Sequence, residues 1–332
     1  MVIDVHAHYV SPRVSEAVRT TPRRYGVTVR ETSPLGPEFA FGSEEPIRPM
    51  PEGVSSLTAR RQLMQAQGVD LQIVSTWMEL YAYQLPVEVG ARWCRLLNQT
   101  LAEDIQAPEH RIAFAGLANV PLQDGDRAAE ELEFAVSSLG MRGAMIAPHV
   151  LDKPLDDRSL DPLWRTAERE GAVIMVHPYA PNLGFRTNRY YLNNLLANPF
   201  DTTVAACCLI FGGVVDRFPD LRVLLVHGGG FLPYQIGRIE CGFQAVHSLQ
   251  TNVARAPREY LTWFHYDTML LDSRAVQFLV DSVGSQHVSL GSDAPFPISD
   301  ANPVQTVRQA RLGAEAEDRV LRRNAQALFG GF

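Results

Sequence analysis

Short apolar runs rich in β-branched residues recur along the whole chain, at 2–5, 71–75, 112–117, 143–146, 173–176, 223–226, 263–269 and 288–290. Each ends near a polar residue or glycine. Runs of this kind suit strands buried on both faces, as in a parallel sheet. Helical patterns lie between them. Residues 57–67 stop at Gly68, a helix-ending residue. Residues 89–105 carry Ala91, Cys94, Leu97, Leu101 and Ile105 at three- and four-residue steps. Further helical stretches are expected at 126–139, 160–170, 202–218, 232–246, 274–283, 304–310 and 316–329. Eight strands alternating with helices predict an α/β fold of the (β/α)8 TIM barrel class. A doubly wound open sheet would carry a glycine-rich turn after its first strand. That position is held here by His6-Ala7-His8, which favours the barrel.

The alternation lapses once, over about 10–54, where Pro12, Pro22, Pro34, Pro37, Pro46, Pro49 and Pro51 accumulate. A structureless loop of that length is unusual inside a compact domain. The stretch is expected to be an ordered insertion after strand one of a single domain spanning 1–332, with short strands near 26–30 and 39–41. It would then cover the barrel end that carries active sites. The segment 178–199 is a second active-site loop by the same logic.

Composition narrows the function classes. Net charge is −7 over 332 residues, with no Lys/Arg cluster, which disfavours nucleic acid as a partner. Cys94, Cys207, Cys208 and Cys241 form no CxxC pair, which fits a reducing compartment and a cytoplasmic location. The start MVIDVHAHYV has no signal-peptide pattern, and without a run of 18 apolar residues no membrane span is expected.

Histidine placement changes the picture most. Four of the nine histidines fall at expected strand ends: His6 and His8 on strand one, His177 on strand five and His227 on strand six. Asp293 follows strand eight. A barrel gathers these ends at one mouth. Side chains two apart on a strand share a face, so His6 and His8 can bind one ion together. His177 and Asp293 can add a third nitrogen and a carboxylate oxygen, a donor set that Zn²⁺ accepts. One position left for water would make the site catalytic rather than structural. The other histidines read more plainly. His110 belongs to the opposite face, His149 to a loop, His265 to barrel packing, and His247 and His287 to the surface or helix ends. Asp4 and Asp267 are each either a partner of a metal-bound histidine or an ordinary core hydrogen-bonding group.

These residues resemble the amidohydrolase superfamily, in its subgroup of metal-dependent decarboxylases, with the greatest likeness to the branch acting on aminocarboxymuconate semialdehyde. The resemblance starts at Ile3-Asp4-Val5-His6-Ala7-His8 and continues through Val176-His177-Pro178. It is densest over 202–238, including Gly212-Gly213-Val214, Arg217-Phe218-Pro219, Val226-His227-Gly228-Gly229-Gly230 and Gly237-Arg238-Ile239. It closes with Gly291-Ser292-Asp293 and Pro295-Phe296-Pro297. The resemblance implies that His6, His8, His177 and Asp293 hold one divalent metal, zinc or else manganese. It makes His227 and Asp293 the catalytic pair and implies that Arg48 binds a substrate carboxylate. Phe296 is a further substrate contact, and Arg238 would reach the active site of a neighbouring subunit in a homodimer. The chain departs from the pattern where family members carry tryptophans: it has Tyr179 after His177-Pro178, and Arg189-Tyr190-Tyr191-Leu192-Asn193-Asn194 in the following loop. Ala294 stands where an aromatic usually follows the aspartate.

The expected reaction is nonoxidative decarboxylation of an unsaturated or aromatic carboxylic acid. A metal lowers the pKa of bound water to about 7, and an unperturbed imidazole titrates near 6.5, so His227 can move a proton at neutral pH. Guanidinium matches carboxylate in a two-bond fork. The alternative is a metal-dependent hydrolase or hydratase using the same activated water. Gly228–Gly230 either admits a substrate to the backbone or opens the next helix.

Overall fold

The structure is a computed structural model that describes every residue except Thr32, Ala180, Asn182 and Phe332. The barrel strands, numbered here in chain order, are β1 Ile3–His8, β2 Leu71–Ser75, β3 Phe114–Gly116, β4 Gly143–Ile146, β5 Val173–Val176, β6 Arg222–Leu225, β7 Phe264–Asp267 and β8 Val288–Ser289. All neighbouring pairs run parallel. β1, β2 and β3 form one ladder, and β4 to β8 form a second. The ring closes at two seams. Ala118 bridges to Ala144, and the Met145 amide donates to the Ala118 carbonyl. On the other side Ala7 bridges to Ala294, the Val5 amide donates to Leu290 and the Asp293 amide donates to His6. The expected (β/α)8 barrel is therefore the fold. Ile3, Val5, Ile73, Met145 and Ile174 are wholly enclosed, as the apolar runs require.

Most helices fall where the periodicity places them: Leu57–Gln67, Val87–Ile105, Gly125–Leu139, Asp161–Glu170, Leu232–Ala245 and Ser273–Val283. The single helix expected over 202–218 is instead two, Asn198–Phe211 and Val214–Arg217. Gly213 breaks it with φ 69°, and a Cβ there would lie 2.4 Å from the Asn252 carbonyl oxygen. A π turn, Asn193–Ala197, precedes Asn198–Phe211. Together they make a helix of 19 residues, long and apolar enough to cross a membrane by length and composition, with 33% of its most apolar stretch buried. Leu195, Leu196, Phe200 and Val204 are exposed on it.

The 10–54 insertion is ordered. Its strands Val27–Arg30 and Glu38–Phe41 pair antiparallel, close to the expected bounds. A helix, Pro12–Thr20, was not expected, although its signals are present: Ser11 caps it and Pro12 occupies its first turn. Phe39 and Phe41 pack on Trp93 of helix Val87–Ile105. The buried Arg60 of helix Leu57–Gln67 donates to the His8 carbonyl at 2.8 Å and to Gln72 at 3.3 Å, and reaches the end of the insertion at the Gly53 carbonyl, 3.5 Å away.

Candidate active site

His6 and His8 point the same way from β1, with their Nε2 atoms 3.2 Å apart. His177 comes one residue after β5, His227 two after β6 and Asp293 four after β8. One ligand atom from each of His6, His8, His177 and Asp293 lies within 4.8 Å of all the others. Asp293 Oδ1 stands 3.0 Å from His8 Nε2, 3.3 Å from His6 Nε2 and 4.0 Å from His177 Nε2. Even so, Asp293 Oδ1 and His177 Nε2 are buried without a hydrogen-bond partner. Orphaned polar atoms of this kind call for an explanation.

The opposite ring nitrogens supply one. His8 Nδ1 donates to the Thr76 carbonyl at 2.8 Å and His177 Nδ1 donates to the Pro178 carbonyl at 2.8 Å. A carbonyl only accepts, so both protons lie on Nδ1 and both Nε2 atoms keep a lone pair. His6 Nδ1 donates to Asp267 Oδ2 at 2.6 Å. Three imidazole Nε2 atoms and one carboxylate oxygen thus converge on a single point. The set fits a divalent cation, with nitrogen and oxygen donors of the type zinc and manganese use.

The charge pattern agrees. Burial pushes His8 and His177 below the ordinary histidine value, and neighbouring histidines push His177 further down. Both are neutral, as ligation requires. Burial opposes a proton on His6, but Asp293 and Asp267 override it and hold its pKa up at about 10, so His6 ligates a cation only by giving up its Nε2 proton, as metal binding releases protons. Burial would raise Asp293, yet His6, His227 and His8 keep its carboxyl well below the usual range.

The two core aspartates divide their roles. Asp267 holds His6 with one oxygen. Its other oxygen accepts from the Gly228 amide at 2.9 Å and the Met269 amide at 3.1 Å. Asp4 touches no ligand imidazole. It bonds Gln72 at 2.8 Å and the Ser292 hydroxyl at 2.5 Å, locking β1 to β2 and to the segment carrying Asp293.

His227 Nε2 lies 3.5 Å from Asp293 Oδ2, and its Nδ1 has no partner. Both residues adopt positive φ, 55° and 60°. Non-glycine residues rarely hold that conformation, and it clusters at functional sites. Gly228, Gly229 and Gly230 continue it with φ of 62°, 75° and 62°. Cβ atoms there would meet Leu270 at 2.6 Å, Tyr266 at 2.7 Å and the Pro199 carbonyl at 2.0 Å. The three glycines therefore let the chain turn against its own core.

The donor set opens into a cavity of about 430 Å³ lined by Arg48, Glu79, Tyr179, Asn193, Asn194 and Phe296 among others. Phe296 packs on His8 with ring centroids 5.0 Å apart. Arg48 enters from the insertion and pairs with Glu79. Glu79, Arg60 and Tyr81, whose hydroxyl donates to the His177 carbonyl at 3.2 Å, were not singled out from the sequence. Glu79 and Tyr81 follow β2, and the mouth end of a strand was the one available signal. Arg238 is exposed on helix Leu232–Ala245 and does not line this cavity. His149 is exposed on a two-residue hairpin strand, and His247 is exposed as well.

Comparison with known proteins agrees with this geometry. The profile of the amidohydrolase family matches residues 3–331. The 2-amino-3-carboxymuconate-6-semialdehyde decarboxylase of Dictyostelium discoideum is 34% identical over 273 residues, covering 82% of this chain and 76% of the relative. The crystal structure of 5-carboxyvanillate decarboxylase from Sphingomonas paucimobilis superposes with a TM-score of 0.84 at 24% identity, covering 100% of this chain and 99% of that one. A dihydroxybenzoic acid decarboxylase from Polaromonas sp. JS666, solved with bound manganese and 2-nitroresorcinol, gives 0.79 at 21% identity, covering 99% and 96%. The chain belongs to the amidohydrolase family.

Proposed function

We propose that the protein is a metal-dependent nonoxidative decarboxylase of an unsaturated or aromatic carboxylic acid. The observation that carries this reading is the convergence of three Nε2 atoms and Asp293 Oδ1 at the floor of a cavity, with His227 beside them and free at Nδ1. The relatives are decarboxylases by name, which favours a lyase over the hydrolase or hydratase alternative.

His6, His8, His177 and Asp293 are the metal ligands in this reading, with zinc as the ion and manganese as the substitute. A divalent ion there supplies Lewis acidity toward substrate oxygens. His227 holds the proton for the carbon that bears the leaving carboxylate. Once that carbon is protonated, the carbon–carbon bond breaks, its electron pair returns to the π system, and CO2 departs. Arg48 takes a substrate carboxylate, and Phe296 with Tyr179 bounds the unsaturated framework. Asn193 and Asn194 line one wall beside Tyr191, so this wall offers hydrogen-bonding amides next to an aromatic ring. Free cysteines and the absence of a basic cluster are compatible with a cytoplasmic enzyme acting on a small molecule.

The active unit is a homodimer with Arg238 completing the neighbour's site. Two features support this: Arg238 lies outside its own cavity, and exposed Leu196, Phe200, Val204 and Tyr234 leave an apolar face uncovered. Mixing inactive Arg238→Ala and His227→Asn subunits should restore part of the activity. No recovery after proven subunit exchange would argue against sharing.

The reaction is tested by CO2 release from 2-amino-3-carboxymuconate semialdehyde, 2,6-dihydroxybenzoate and 5-carboxyvanillate, with zinc or manganese supplied. CO2 from at least one is expected. Water incorporation without CO2 loss across the panel would overturn the decarboxylase reading.

A further inference from the structure

The cavity wall holds a charged group that the reaction above does not use. Glu79 sits in a single 3-10 turn, Met78–Leu80, just past β2, and its side chain is only 14% exposed. Burial raises its pKa, and the nearby Arg48 works against that rise. Its partner is the Nε edge of Arg48. The Arg48 guanidinium also lies over the buried Trp77 ring, 5.3 Å from its centroid. Two neighbouring residues of one loop therefore fix the plane and one edge of a side chain that arrives from the insertion and is itself half exposed.

We infer that Glu79 is a positioning residue for Arg48, holding the guanidinium by its Nε edge so that its two terminal nitrogens face the substrate carboxylate. The inference rests on the reading of Arg48 as the carboxylate site. A guanidinium offers five N–H donors in a rigid fork. With Nε engaged, the Nη1/Nη2 pair is the fork left for a planar carboxylate. Arg48 also has many rotamers, and freezing them on binding weakens affinity. Glu79 and Trp77 do that freezing before substrate arrives. The arrangement has a built-in opposition, because the carboxylate that orients Arg48 also repels an anionic substrate.

That opposition separates positioning from a general structural role. Glu79→Gln keeps an acceptor oxygen for Nε and removes the charge. Glu79→Ala removes both, and Glu79→Asp withdraws the carboxylate by one methylene. KM and kcat are to be measured for whichever acid of the panel is turned over, with metal content determined on each variant. Arg48→Ala is the reference, expected to raise KM about 10- to 100-fold as a charged hydrogen-bond pair is lost. Glu79→Ala and Glu79→Asp should raise KM about threefold to tenfold, with kcat and bound metal near wild type. Glu79→Gln should match wild-type KM or fall below it. Should Glu79→Ala not fold, the Asp and Gln variants carry the same contrast. If Arg48→Ala leaves KM unchanged, the carboxylate reading of Arg48 fails and the inference falls with it. If Arg48→Ala raises KM but neither Glu79→Ala nor Glu79→Asp does, only the role of Glu79 is overturned. The same holds if all three Glu79 variants lose kcat and metal together.

Discussion

The barrel carries two clusters of histidines at opposite ends, and they look alike until their neighbours are counted. At the mouth, His6 and His177 each lie with ring centroids 4.9–5.4 Å from one another and from those of His8 and His227. At the other end His265, early in β7, and His287, just before β8, have centroids 5.7 Å apart. Both clusters contain buried ring nitrogens without partners. The mouth adds Asp293 among the rings and Asp267 behind them, whereas the charged neighbour that bears on His265 is the cation Arg222. Ring proximity therefore does not make a metal site. A carboxylate that neutralises the ion and acceptors that fix each tautomer do.

The sharpest way to break the comparison is to remove that carboxylate. Asp293→Ala should turn the mouth into an unligated histidine cluster, with loss of both bound metal and activity. Elemental analysis beside the CO2 assay checks this, and full activity after metal chelation would sink the metal claim. His227→Asn asks a narrower question. The ligand set survives, so metal content should hold while kcat falls about 10²-fold or more, the range for a lost acid–base group.

Asp267→Asn tests the tautomer argument. One Asp267 oxygen accepts from the Gly228 and Met269 amides, so an asparagine there keeps its oxygen toward those two donors. Its NH2 then faces His6 Nδ1 and drives the imidazole proton onto Nε2, the ligating nitrogen. Metal affinity should drop about 10- to 100-fold, typical for loss of a partner behind a ligand. Competition with a chelator of known affinity measures it. Unchanged affinity would mean that Asp267 serves the core and not the ion.

The mouth was legible in the sequence because the barrel converts strand ends into spatial neighbours. His6 and His8 share a face through the two-residue repeat, and His177, His227 and Asp293 each follow an apolar run. The second layer was not legible. Asp4 and Asp267 are both aspartates inside apolar strands, and only the three-dimensional partners separate the one that locks strands from the one that holds His6. Glu79 reads as an ordinary surface charge until the insertion brings Arg48, 31 residues away in sequence, against it. Arg60 lies in a helix whose pattern reads as amphipathic, and its burial depends on Gln72 and the His8 carbonyl. The break in the 202–218 helix escaped for a similar reason: apolar periodicity runs on, while the close approach of Asn252 to Gly213 is a tertiary fact.

The smallest predicted effect lies at the second cluster and concerns stability alone. Burial lowers the His265 pKa to about 4, with His287 and Arg222 adding to the shift, and burial lowers His287 as well. In the unfolded chain a histidine titrates near 6.5. Between those values the unfolded state binds the proton and the folded state resists it, so folding stability rises with pH across that window. His265 thus adds no acid sensitivity above about pH 6.5, and below that pH stability is lost until the folded group itself protonates near 4. His265→Gln removes the titration. The variant should show a shallower fall in urea midpoint between pH 7 and pH 4.5 than wild type, with metal content and CO2 release at neutral pH unchanged. Both proteins are to be compared after chelation, so that acid release of the ion at the mouth cannot mimic the effect. An equal pH slope in the two proteins would remove His265 as a source of acid sensitivity, and loss of metal in the variant would erase the distinction between the two clusters.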